Sequence, residues 1–247
     1  MPAATFKCES GTHFAHQALH QDNVRVSMFA LSVRCSILWL FTAAALSAAE
    51  TNAPVRALGG GRFQVGQVTL SQSNRSLSFP AAVQLRDETI EYAVVHKTGK
   101  THESIFRTEA LPQDIQVALL LLGARPIMTN SFGVDGKGLP RGEKVWIAAS
   151  WTNNGVRVNW PMEELVLNKE TKQTLPRGEW IYNGSNFSEG MFTAQRDGSI
   201  VSIHIDPDAL INNPRPGREN DDLHAPNAAK LPPIGTPVEI TIQLERR

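Results

Sequence analysis

The sequence predicts a mainly β domain, or an α+β one: an antiparallel sheet or sandwich of short strands with one well-formed helix near residues 112–123. Three observations lead there. Apolar and polar residues alternate over many short stretches, which is strand period. Turn-forming residues punctuate those stretches. A single longer segment, opening at Pro112, repeats instead at helical spacing.

The elements follow in order. Phe63–Leu70 alternates cleanly, and Leu77–Leu85 repeats the pattern around Pro80, which suits an edge or a strand start. Thr89–His96 is rich in β-formers, Lys97–Lys100 supplies a turn with Gly99, and Thr101–Arg107 runs back, so a hairpin is expected. In the helix, Pro112 suits the first turn, Asp114 favours the positive N-terminal end, and Gly123 is a natural stop. Ile115, Ala118, Leu119 and Leu122 fall on one face. With Val117, Leu120 and Leu121 apolar as well, burial on most sides is expected. Val134–Gly142 reads as a loop. Lys144–Trp151, Gly155–Trp160, Glu179–Tyr182, Ser199–Ile205 and Pro237–Leu244 read as strands. Met162–Leu165 reads as one helical turn, and Asp206–Leu210 as a turn opened by an N-cap-like Asp. Asn212–Pro233, rich in Pro and Asn, reads as a long surface loop.

The N-terminal region reads differently. Met28–Ala49 has Arg34, a short apolar run from Cys35 to Leu46, and small residues at Ser47-Ala48-Ala49. That is the layout of a secretory signal peptide, too short for a membrane span of roughly 20 residues. Residues 1–27 precede it as an extension attributed to a mis-called start, and His13, His16 and His20 fall within that extension. Glu50–Gly61 reads as a linker, and residues 62–247 as a single domain. Export to the periplasm or the extracellular space is the resulting expectation. The two cysteines, Cys8 and Cys35, lie in the part expected to be removed. The mature chain then offers no disulfide, no iron–sulfur or haem ligands and no cysteine nucleophile, so no cofactor is identifiable.

Charge narrows the partners. The 247 residues carry 24 Lys+Arg against 24 Asp+Glu, a formal net charge of +0 at pH 7. No basic stripe marks a nucleic-acid surface, and nothing beyond export implies a membrane. A cell-envelope partner fits this balance.

No G-x-S-x-G, H-E-x-x-H, P-loop or G-x-G-x-x-G signature is present. The densest polar cluster is Lys100-Thr101-His102-Glu103-Ser104, with Glu91 across the expected hairpin. Glu91, His102, Glu103 and Ser104 are therefore the candidate functional residues. In a two-residue-turn register His102 and Ser104 share a face, while Glu91 lies near Phe106, roughly 13 Å from His102. Trp151, Trp160 and Trp180, with Trp146 and Tyr182, are candidates for an aromatic binding platform, against the commoner role of aromatics in a core. Glu163, Glu164, Asp206, Asp208, Asp221 and Asp222 are oxygen donors without EF-hand spacing. His204 and His224 show no identifiable partner.

Ile90-Glu91-Tyr92, Gly99-Lys100-Thr101-His102-Glu103-Ser104 and Leu119–Gly123 together resemble the YdjY-like domain family of bacterial envelope proteins. Trp180–Ser185, Asp206–Asn212, Leu231-Pro232-Pro233 and Gly235–Val238 extend the resemblance over most of Phe63–Leu244. The family carries no settled biochemical role. Some members are associated with ferredoxin-type iron–sulfur segments, an implication that a cysteine-free mature chain does not sustain.

The leading expectation is an exported, non-enzymatic binding or structural module of the cell envelope. The alternative is a metal-dependent enzyme or metal carrier in which His102 joins carboxylates from the Asp206 or Asp221 segments, with calcium, manganese or zinc as fitting metals. Carbohydrate binding requires Trp151 or Trp160 to be accessible.

Overall fold

The computed structural model describes residues 55–127, 131–132 and 138–245. The expected extension, the signal segment, His13, His16, His20, Cys8, Cys35 and part of the 134–142 loop lie outside the described residues.

β1 (Arg56–Gly59), β2 (Arg62–Val65) and β3 (Val68–Ser71) form an antiparallel meander leading into β4 (Ser76–Val83). β5 (Tyr92–His96), β6 (Ser104–Thr108) and α1 (Pro112–Leu121) follow. β7 (Glu143–Asn153) and β8 (Val156–Pro161) make a long hairpin. The chain continues through β9 (Val166–Asn168), β10 (Trp180–Tyr182), the small pair β11 (Phe187–Ser188) and β12 (Met191–Phe192), and α2 (Thr193–Asp197). β13 (Ser199–Ser202), β14 (Ile211–Asn212), β15 (His224–Pro226) and β16 (Pro237–Leu244) complete it.

The main sheet closes on itself. Its circuit runs β4-β16-β7-β10-β14-β13-β5-β6 and returns to β4 through Ala82↔Arg107 and Val83↔Phe106. The protein is mainly β, and the expected open sheet or sandwich is corrected to an eight-stranded closed barrel. Closure leaves no circuit strand with an unpaired edge. Val145, Ile147, Trp180, Tyr182, Ile240 and Ile242 are among the buried residues that fill the core.

The sheet is also mixed. The expected hairpin over Thr89–Arg107 is instead a parallel pair, with Tyr92↔Ser104, Val94↔Phe106 and His96↔Thr108 in register. β13 and β14 are parallel too. After β5 the chain doubles back as a 3-10 turn, Thr101–Glu103, and the Glu91 amide donates to the Glu103 carbonyl at 3.0 Å. All five residues of β5 are buried, as befits a strand covered on both faces. Gly99 permits the return, because a Cβ there would lie 2.9 Å from the Asp197 carbonyl oxygen at the end of α2.

Other expectations shift as well. The expected linker contains β1, and Gly60 and Gly61, both at positive φ, form the two-residue turn into β2. Pro80 lies inside β4, a central strand rather than an edge, and its carbonyl accepts the Thr108 hydroxyl at 2.5 Å. On that side β4 exchanges β3 for β6 between Ser78 and Ala82, so the missing N–H forfeits no ladder bond. α1 buries Ile115, Ala118 and Leu119, whereas Val117, Leu120 and Leu121 face solvent, against the expected all-round burial. The 212–233 segment is a surface loop only in part: Glu219–Asp222 are exposed, but it holds β15 and buries Asn212, Asn213, Arg215, Arg218, His224 and Asn227.

Candidate functional site

The Gly99–Ser104 segment is organised by one ammonium group. Lys100 Nζ sits 3.1 Å from Glu91 Oε2 and 2.9 Å from Glu103 Oε1, and lies 5.3 Å from the centre of the Tyr92 ring. Partial burial works against the charge, yet the hydrogen bonds to Glu103 and Glu91 prevail and hold Lys100 above the usual lysine range. Parallel pairing therefore brings Glu91 to Glu103, where the expected register had placed it near Phe106.

The other two candidates part company. Ser104 is fully buried, and its hydroxyl donates to the Lys100 carbonyl at 2.6 Å. His102 points outward with its side chain 80% exposed, its Nε2 4.0 Å from Glu103 Oε2. The shared face expected for His102 and Ser104 is corrected by the parallel register. His102 instead lines an open depression of about 350 Å³ with Glu88, Thr89, Glu91, Glu103, Asp221 and Asp222. Among the described residues, no three His, Cys, Asp or Glu side chains are grouped to hold a metal ion.

Asp206 serves the fold. Its Oδ2 accepts from the Tyr92 hydroxyl at 3.0 Å, and its Oδ1 accepts from the Asp208 amide at 2.9 Å. Burial pushes its carboxyl above the usual carboxylate range and, acting on Tyr92, raises that phenol too. Asn212 and Asn183 tie this turn to the barrel: Asn212 Nδ2 donates to Asn183 Oδ1 and to the Asp206 carbonyl, each at 2.9 Å.

The aromatic candidates are divided by burial. Trp151 and Trp180 are buried, Trp180 donating from Nε1 to Glu163 Oε1 at 2.9 Å. Trp160 is half-buried beneath the Lys230 ammonium, 4.4 Å from the ring centre, and Lys230 pairs with Glu164. Trp146, at 39% exposure, is the tryptophan that faces solvent among the described residues.

These placements make one prediction at the motif. Ser104→Ala is expected to cost about 1 kcal/mol, because it removes one of the two hydrogen bonds that the Lys100 carbonyl accepts, the other coming from the Glu103 amide at 3.3 Å. His102→Ala is expected to stay within about 0.5 kcal/mol of the native chain. Urea titrations of both variants check it; equal losses would mean that the hydroxyl bond does not anchor the segment.

Sequence reasoning missed the buried Glu163–Arg215 pair and the Asn183–Asn212 bridge. No local pattern marks either, since their partners stand 52 and 29 residues apart. No curated protein matches the chain, and no solved structure does. The YdjY domain matches residues 68–243, a span running from β3 through β16 and taking in the Lys100 clamp, the Asp206 turn and the barrel circuit. By that match over most of its length, the chain belongs to the YdjY domain family.

Proposed function

We propose that the protein is an exported, non-enzymatic binding or structural module of the cell envelope. The observation that carries this reading is how the motif side chains are spent: Lys100 is clamped between two carboxylates, and Ser104 is turned inward onto a backbone carbonyl. A nucleophile needs a base within hydrogen-bond reach, and Ser104 gives its proton to structure instead. Support for export comes from the signal-like segment at 28–49.

One observation favours the alternative, a metal-dependent enzyme or carrier: His102 shares its depression with Glu88, Glu91, Glu103, Asp221 and Asp222. Metal analysis by mass spectrometry on native protein and on His102→Ala separates the two readings. The expected result is no stoichiometric metal in either sample and no turnover on a hydrolase and oxidoreductase panel. A stoichiometric metal that disappears in His102→Ala would replace the binding-module reading with the alternative.

A further inference from the structure

The outer face of the barrel between β3 and β8 carries a run of hydroxyl and amide side chains. Along β3, β4 and β16 apolar and polar residues alternate, so the apolar set points inward. Over the stretch that ends before Pro80 on β4 and Glu239 on β16, the outward set is hydroxyls and amides in register. Thr69 pairs with Ser78, Ser78 with Thr241, Ser76 with Gln243, and Gln243 with Trp146. Asn159 extends the row onto β8, opposite Ser150.

Three shallow depressions of about 290, 270 and 270 Å³ lie side by side on this face. The first shares Trp146 and Gln243 with the second, and Thr241 with the third. They make a continuous track rather than isolated dents. At 4.7–4.9 Å per strand, the track from β3 to β8 is roughly 19 Å across.

The centre of the track has little free charge. Glu163, beneath the first depression, is held by Trp180 Nε1 and Arg215. Lys144 is paired with Glu179 at 2.9 Å, and Arg157 with Glu239. Arg62 and Glu245, of opposite sign, stand at the two ends. Such a face is electrostatically matched to an uncharged ligand rich in hydroxyls. It suits a protein partner poorly, because interface cores favour clustered aromatics and are depleted in Ser. It suits a nucleic acid no better, lacking the basic stripe that phosphates require.

We propose that this face binds a neutral glycan chain, with the Trp146 indole stacked on the C–H face of one pyranose and Gln243, Thr241 and Asn159 hydrogen-bonding the hydroxyls of that sugar and its neighbours. An indole supplies a large flat apolar surface with little conformational entropy to lose, and a sugar ring offers a matching apolar face. The track's length accommodates several sugar units in a row. The inference rests on the binding-module reading and names the ligand class and the site.

The test is isothermal titration of the full chain with cellotetraose and with chitotetraose, which differ in their N-acetyl groups. Binding to at least one tetrasaccharide is expected, with a Kd on the order of 0.1 mM. Trp146→Ala is expected to weaken it by about tenfold or more, as for a tryptophan at the centre of a contact. Gln243→Ala is expected to weaken it several-fold, and His102→Ala to leave it unchanged. Melting curves report whether Trp146→Ala folds; if it does not, Gln243→Ala and Asn159→Ala carry the decision. Absence of binding to both sugars, or undiminished binding by the folded track variants, overturns the glycan site while the binding-module reading stands. Turnover that is lost in His102→Ala overturns that reading instead, whatever the sugars do.

Discussion

Replacing Arg215 with Met is expected to remove about 3–5 kcal/mol of unfolding free energy, the largest loss of any single substitution argued for this chain. Arg215 is buried, and each of its three guanidinium nitrogens makes a hydrogen bond. Nη2 lies 3.0 Å from Glu163 Oε1, Nε donates to the Pro176 carbonyl at 2.6 Å, and Nη1 reaches Asn213 Oδ1 at 3.2 Å. The same guanidinium stacks 5.2 Å from the centre of the Trp180 ring, and Trp180 donates to Glu163 as well. Burial nevertheless raises the Glu163 carboxyl and lowers Arg215, so desolvation exceeds what the pairing returns. The pair is therefore no net source of stability while intact, yet an expensive one to break. Met keeps most of the volume and leaves Glu163 charged without its partner. Adding Glu163→Gln removes the orphaned charge while preserving an acceptor for Trp180, so the double variant is expected to be more stable than Arg215→Met alone. Guanidinium titrations decide it: a loss under about 1 kcal/mol for Arg215→Met, or additive losses in the double variant, would show that the network is not coupled.

The position of Arg215 also explains what the sequence could and could not disclose. Strand period marked β2 with β3, β4, β7, β8, β10, β13 and β16, and the Pro112 signal marked α1, because those features depend on neighbours one to four residues away. Pairing partners depend on residues far off, so the closed circuit was not legible. One local clue did point to the parallel pair: Tyr92–His96 is buried throughout instead of alternating, and Ala93-Val94-Val95 is an unbroken apolar run. The Gly99 turn looked like a hairpin because glycine serves equally well for a close approach to Gly198. For the site, the motif was legible as a cluster but not as a division of labour. Whether Ser104 or His102 faces water is set by the parity of the strand, and the 3-10 turn at Thr101–Glu103 resets that parity. The Pro- and Asn-rich composition of 212–233 suggested exposure. Asn212, Asn213 and Asn227 are instead inward hydrogen-bond partners, as Asn213 Oδ1 is for the Arg215 amide at 3.1 Å.

That segment carries the second large effect, a loss of stability on acidification. His224 is 2% exposed, and burial first, with the neighbouring His204 imidazole adding to it, lowers its pKa from 6.5 to about 4. The unfolded chain therefore takes up a proton near pH 6.5 while the native protein resists until about pH 4. Across that window the unfolded state holds more protons, so stability falls as pH falls, by about 3 kcal/mol at most. Asp206 and Glu163, whose carboxyls are raised by burial, act with the opposite sign at the lower end. A His224→Gln variant isolates the imidazole: its stability is expected to vary less than the native protein's between pH 7 and pH 4. Parallel native and variant curves over that range would assign the acid sensitivity elsewhere. The structural consequence is local to the acidic depression. The His224 carbonyl accepts the Ile90 amide at 3.0 Å, next to Thr89 and Glu91, and His224 stands two residues after Asp222. Protonating the buried ring is expected to loosen the strand that holds one wall of the depression against the other. Amide exchange at Ile90 is therefore expected to speed up at pH 4–5 ahead of the barrel core, and to do so less in His224→Gln.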